Sequence, residues 1–201
     1  MIAVVDYGMG NLRSVQKALE HVGAEPEITR YHGRIRDAGG IVLPGVGAFP
    51  KAMAAIRSHG LDTVLRERLD ADIPVLGICL GMQLLFERSV ELGGADGLGF
   101  LPGEVVGLDA EGLKVPQIGW NAVSCQRDSE LTRGLSNPAA FYHVHSFAPR
   151  ASNGIVLGTA DYGSTFVSAV AGDGVYGVQF HPEKSGPDGL RLLRNFAALA
   201  E

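Results

Sequence analysis

The 201 residues, 46% hydrophobic and 19% charged, are enough to bury one α/β core and short for two, so a single domain over residues 1–201 is expected. A net charge of −5 with no basic run leaves no electrostatic footprint for nucleic acid, and two distant cysteines do not make the disulfide framework of a secreted domain. Met1 to Val5 lacks a basic start, and the longest apolar stretch, Pro74 to Phe86, is too short to span a bilayer and carries Gln83; a soluble cytoplasmic protein with no membrane contact is expected.

In chain order, Ile2 to Asp6 reads as a strand. Leu12 to Val22 carries apolar residues at helical spacing (Leu12, Val15, Leu19, Val22) and stops at Gly23. Strands are expected at Glu25 to Thr29 and at Gly40 to Leu43, the second ending in a Pro-Gly-Val-Gly turn. Two helices, Ala48 to Ser58 and Leu61 to Leu69, then lead to a strand finishing at Cys79, followed by a helix to about Val90. This β-α-β order predicts an open, mostly parallel sheet flanked by helices. The second half is different. Glu104 to Leu108, Gly112 to Val115, Ala122 to Cys125, Ala139 to His145, Ile155 to Ala160, Thr165 to Ala171 and Val175 to Phe180 are short, Val-rich and separated by turns. They predict antiparallel hairpins grafted on the sheet, one of them turning at Gly172-Asp173-Gly174. A last helix from about Pro187 to Ala200 presents Leu190, Leu193, Phe196 and Leu199.

Two strand ends carry chemistry. In Pro74-Val75-Leu76-Gly77-Ile78-Cys79-Leu80-Gly81, a buried strand meets a helix at a cysteine flanked by glycines, which permit the tight turn of a nucleophile elbow. Free N–H groups at the helix start favour the thiolate. Taken alone, Cys79 is equally compatible with a buried structural thiol; Cys125 has no such glycines and reads as structural or a surface thiol. About a hundred residues on, a second strand finishes at His181-Pro182-Glu183, with Glu183 close enough to orient the imidazole. Nucleophile, base and orienting acid are thus all present at the carboxyl ends of strands, the ligand-binding edge of open α/β sheets.

Gly77-Ile78-Cys79-Leu80-Gly81-Met82-Gln83 with Gly177-Val178-Gln179-Phe180-His181-Pro182-Glu183 resembles the class I (triad) glutamine amidotransferases. Four further segments, with Lys184-Ser185, narrow the resemblance to the glutaminase subunits of imidazole glycerol phosphate synthases, of histidine biosynthesis. They are Asp6-Tyr7-Gly8-Met9-Gly10-Asn11, Leu43-Pro44-Gly45-Val46-Gly47-Ala48-Phe49, Val115-Pro116-Gln117-Ile118-Gly119-Trp120-Asn121 and Tyr142-His143-Val144-His145-Ser146-Phe147. Gln117 and Phe147 depart from that pattern, which has histidine and tyrosine there.

The chemistry to expect is acyl transfer: Cys79 attacks the glutamine amide, His181 moves the protons and Glu183 holds the tautomer. Leu80 N–H, at the helix start, suits one oxyanion donor. The resemblance implies Val46 N–H as the second, on a turn whose two glycines let the peptide flip. It also implies Gly47, Gln83, His145, Ser146 and Phe147 as substrate-binding, with Glu91 on the α-ammonium and Glu87 as its competitor. It further implies a heterodimer with a cyclase subunit of (β/α)8-barrel type. Ammonia passes between the subunits, the dock is marked by Asn11, Trp120, Asn121, Tyr142 and Lys184, and hydrolysis is slow until the partner binds its ligand. No cofactor and no metal are expected, although His143 and His145 share a strand face. Three rivals remain: a dinucleotide-binding module, which the Arg13 in place of the third glycine disfavours; a stand-alone cysteine hydrolase; and a non-catalytic interaction protein.

Overall fold

The protein is described from a computed structural model covering residues 1–152 and 154–201. Strand β1 (Ile2–Val5) is apolar and buried at every position, as a strand covered on both faces must be. Helix α1 (Leu12–His21) turns Val15, Ala18 and Leu19 inward and ends before Gly23, whose φ of +91° reverses the chain. Then come β2 (Pro26–Thr29), a short α2 (His32–Arg36), β3 (Gly40–Gly45), α3 (Phe49–Ser58), α4 (Leu61–Leu69) and β4 (Val75–Cys79). Beyond the thiol follow α5 (Leu80–Leu84), β5 (Phe86–Ser89), β6 (Ala95–Asp96), β7 (Leu101–Gly107), β8 (Gln117–Cys125) and β9 (Ala139–His145). The chain finishes with β10 (Phe147–Arg150), β11 (Val156–Tyr162), β12 (Ser164–Gly172), β13 (Val175–Val178) and α6 (Gly186–Leu199).

Nine strands form one sheet in the order β2-β1-β3-β4-β13-β12-β11-β8-β9. It is parallel from β2 to β13 and antiparallel from there to β9. The expected hairpin between β12 and β13 is present, with Asp173 and Gly174 both at positive φ. Residues on β1 alternate between two cores. Ala3 and Val5 pack with the α2, α3 and α4 side, while Ile2 and Val4 pack with α1 and α6. The sheet is therefore covered on both faces, and its carboxyl edge is where the loops gather. Among the described residues, no helix is long and apolar enough to cross a membrane.

Two expectations fail. The helix after Cys79 does not run to Val90; it stops at Leu84, and Phe86–Ser89 is a strand. The carbonyls of Leu84, Leu85 and Phe86 are taken by N–H groups of Leu98, Phe100, Leu101 and Gly99, which founds a second, four-stranded sheet of order β10-β7-β5-β6. Gly112 to Val115 is not a strand either. Glu111 and Gly112 both have positive φ and turn the chain, and the strand begins at Gln117. In α6 the inward stripe is Leu192, Leu193 and Phe196, with Leu190 and Leu199 only partly covered.

Candidate active site

The thiol sits where β4 stops. Cys79 has φ +55° and ψ −113°, a backbone state that a non-glycine residue holds only when its surroundings impose it. The imposing element is α5, which folds back directly over β3 and β4. A Cβ on Gly81 would lie 1.7 Å from the Leu43 carbonyl oxygen, and one on Gly77 would lie 2.6 Å from that of Gly81. Any side chain at either position would lift α5 and carry the thiol with it. Because α5 has only five residues, it supplies free N–H groups at Leu80 and after rather than an extended dipole.

His181 is brought to the thiol by the neighbouring strand, since β13 pairs with β4 in parallel and Val178 stands opposite Ile78. Beyond β13, His181 is fixed at its backbone. Its N–H donates to Tyr142 O at 2.9 Å, and the Ser185 hydroxyl donates to its carbonyl at 2.6 Å. Its Nδ1 donates to Glu183 Oε1 at 2.9 Å, with both side chains buried. Burial alone would lower the imidazole pKa. The hydrogen-bonded Cys79 thiol and then Glu183 outweigh it, and the pKa is raised to about 9. That raised pKa suits His181 to hold a proton taken from the neighbouring thiol and to pass it on. Asn11 Nδ2 donates to Glu183 Oε1 at 3.3 Å, while Glu183 Oε2 is buried without a partner among the described residues.

A cavity of about 330 Å³ opens on Cys79 and His181. Of the residues expected around the substrate, Val46, Gly47, Leu80, Gln83, Glu91, His145, Ser146 and Phe147 all line it. Gln83 is held by two acceptors, Phe147 O and Gln179 Oε1, each at 3.0 Å. Glu91 stands on a 3₁₀ turn (Glu91–Gly93), and its Oε2 accepts from Phe49 N at 2.7 Å, capping α3. Glu87 lies on β5 and accepts from Gly103 N at 2.9 Å, away from the cavity. Of the two glycines around Val46, only Gly47 has positive φ, at +107°; Gly45 belongs to β3 and is tightly packed.

His143 and His145 are committed to hydrogen bonds at both ring nitrogens. His143 donates from Nδ1 to Phe141 O at 3.1 Å and accepts from the Ser168 hydroxyl at 2.8 Å. His145 donates to Phe147 O at 2.9 Å, with the Gln117 side-chain amide 2.8 Å from Nε2. Burial, and then neighbouring histidine charge, lower the His143 pKa to about 3; burial is also the first cause lowering His145 to about 4. A neutral ring donating from Nδ1 accepts at Nε2, so Gln117 serves His145 with its amide nitrogen. Among the described residues no three His, Cys, Asp or Glu side chains gather as metal ligands.

The five residues expected at the dock divide. Trp120 is 59% exposed and meets Tyr142 edge-on at 6.2 Å. Lys184 lines the cavity mouth with Nζ 5.9 Å from the Tyr142 ring. Asn121 instead donates to Asp161 O, tying β8 to β11, and Asn11 is turned to Glu183. Two contributors escaped sequence reasoning. Gln179 is fully buried and donates to Cys79 Sγ at 3.7 Å; its position two residues before His181, just past the end of β13, was the available signal. Ser185, which accepts from Tyr142 N as well as donating to His181 O, stood in the motif without a role of its own.

The family model for glutamine amidotransferase class-I matches residues 3–200. The chain is 49% identical over 201 residues to the imidazole glycerol phosphate synthase subunit HisH of Bacillus cereus (strain G9842), covering all of this chain and 96% of that one. It is 50% identical over 200 residues to the subunit of the same name from Moorella thermoacetica, covering 98% and 94%. A glutamine amidotransferase crystal structure superposes with a TM-score of 0.78 at 23% identity, covering 100% of this chain and 99% of that one. PurLQS from Thermotoga maritima does so at 0.75 and 19%, covering 100% and 98%; these two speak for the fold. With a thiol on a strained strand end, a histidine beside it and a family match over nearly its whole length, the chain belongs to the class-I glutamine amidotransferases.

Proposed function

We propose that the chain is the glutaminase subunit of an imidazole glycerol phosphate synthase. Cys79, its thiol proton passed to His181, attacks the side-chain carbonyl carbon of glutamine, and the C–N bond breaks as His181 gives that proton to the departing ammonia. Water then enters, loses a proton to His181 and cleaves the thioester to glutamate. Val46 and Leu80 N–H groups receive the oxyanion, Glu183 keeps the imidazole oriented, and Gln83, Glu91 and the His145-Ser146-Phe147 backbone hold the amino acid. The observation that carries this reading is the Cys79–His181–Glu183 arrangement opening on the 330 Å³ cavity, beside 49% identity to a HisH subunit over the full chain.

The ammonia goes to a cyclase subunit of (β/α)8-barrel type in a heterodimer. Free ammonia is mostly protonated at neutral pH and useless as a nucleophile, so a shielded path between subunits conserves it. Support for the dock comes from exposed apolar side chains near the cavity: Ile118 and Trp120 on β8, with Val115 before them, and Lys184, which lines the cavity and reaches toward the same Tyr142 ring as Trp120. Co-purification with such a subunit, followed by glutamine-dependent and ammonia-dependent synthase assays, tests the reading. Cys79→Ser should remove the first activity and leave the second. Failure of the chain to bind the subunit, or glutamine-dependent synthesis surviving in Cys79→Ser, would refute it.

A further inference from the structure

Tyr7 does not line the cavity, yet it reaches the base of the turn that carries Val46. Its side chain is 1% exposed, and its hydroxyl donates to Pro44 O at 2.8 Å. A Cβ on Gly45 would fall 2.3 Å from that hydroxyl and 3.0 Å from both Gly81 N and Leu80 Cβ. The phenol, the root of the turn and the first residues of α5 therefore meet at one point. The same loop touches the turn twice more. A Cβ on Gly10 would lie 3.4 Å from Pro44 O, and one on Gly47 would lie 2.7 Å from the Met9 methyl. The turn is gripped at both ends by residues 7 to 10, and Val46, 44% exposed, is the part left free between them.

We propose that Tyr7 is a positioning residue for the oxyanion site: its hydroxyl anchors the Pro44 carbonyl, so that the Val46 peptide moves about a fixed base at a set distance from Leu80. This rests on the reading of Val46 and Leu80 as the oxyanion donors. Burial, and secondarily the Cys79 thiol, push the phenol pKa up, which keeps the hydroxyl a donor at any working pH. Without that anchor, the turn loses the side-chain hydrogen bond it has at Pro44 among the described residues, while no hydrogen bond of Cys79 or His181 is removed.

Tyr7→Phe removes one oxygen and keeps the ring's packing. Assayed with the synthase partner bound, it should lower kcat for glutamine roughly 10- to 100-fold, less than the 10²–10³ typical of deleting a donor outright. KM should stay within about twofold, because the loss belongs to the transition state. Alkylation of Cys79 by iodoacetamide, which builds no oxyanion, should proceed at the wild-type rate. An unchanged kcat would overturn the proposal, and so would a parallel loss in hydrolysis and alkylation, the mark of a packing residue. Val46→Pro, which deletes the donor N–H, separates the two layers. Undiminished turnover there refutes the oxyanion role of Val46, whereas a large loss there beside wild-type kcat in Tyr7→Phe overturns the role of Tyr7 alone.

Discussion

Acid should unfold this protein through two imidazoles rather than through its carboxylates. His143 and His145 are buried and neutral, with pKa values near 3 and 4 against an ordinary 6.5. A group whose folded pKa is lowered in this way costs stability as pH falls below the unfolded value, because the unfolded chain binds a proton that the folded one refuses. Each contributes at most about 1.4 kcal/mol per pH unit, so the pair gives a slope of roughly 2 kcal/mol per unit or a little more between pH 6 and 4.5. By pH 5 the loss is about 4 kcal/mol, a large share of the 5–15 kcal/mol that holds a typical domain together. Other shifted groups act outside this window. Asp6, Glu27 and Glu67 are held low by Arg30, Arg34 and Arg36, and their contribution is lost only as pH falls through those lowered values. His181 is raised to about 9, so its contribution is intact below 6.5 and is lost as pH rises through 9. Urea unfolding at half-unit steps from pH 7 to 4.5 measures the slope, and His143→Gln should halve it. A wild-type slope under about 1 kcal/mol per unit, or a slope unmoved by His143→Gln, would mean that these rings accept protons in the folded state.

At the thiols, an electrophilic glutamine analogue should label Cys79 and spare Cys125, whose pKa burial raises; peptide mapping that found the label on Cys125 alone would sink the nucleophile assignment. Glu91→Gln should raise KM for glutamine by about tenfold or more, the scale of a charged hydrogen bond. Glu87→Gln, whose carboxylate is engaged with Gly103 N, should leave KM unchanged, and the reverse order would exchange their roles. Lys184→Ala should blunt the stimulation of hydrolysis by a ligand-bound partner without touching the partner's ammonia-dependent synthesis. Equal stimulation in wild type and variant would detach Lys184 from the coupling.

The proximity of Cys79, His181 and Glu183 was legible because each half is a local string: a glycine-flanked cysteine after an apolar strand, and a His-Pro-Glu after another. So was the parallel half of the sheet, where runs such as Val75–Cys79 alternate with amphipathic helices. What failed depended on distant partners. Leu84, Leu85 and Phe86 continue a helical pattern, and only the competing N–H groups of residues 98–101 decide for a strand. That shortening also separates the two acids, since Glu87 goes to β5 and Glu91 to the 3₁₀ turn at the cavity. Val-rich Gly112 to Val115 was misread because the φ signs of Glu111 and Gly112 outweigh β propensity. Asn11 gave no sign of its bond to Glu183, 172 residues away.

The pairing of β4 with β13 joins segments about a hundred residues apart, and the antiparallel strands of the main sheet and all four strands of the second one are made in between. On a translating ribosome adding about 5–20 residues per second, the cysteine emerges roughly 5–20 seconds before its histidine. Throughout that interval the nascent chain has the Cys79 thiol without His181 beside it. A chain abandoned before β13 therefore lacks half of the proposed site, which closes only once the last strand has been inserted.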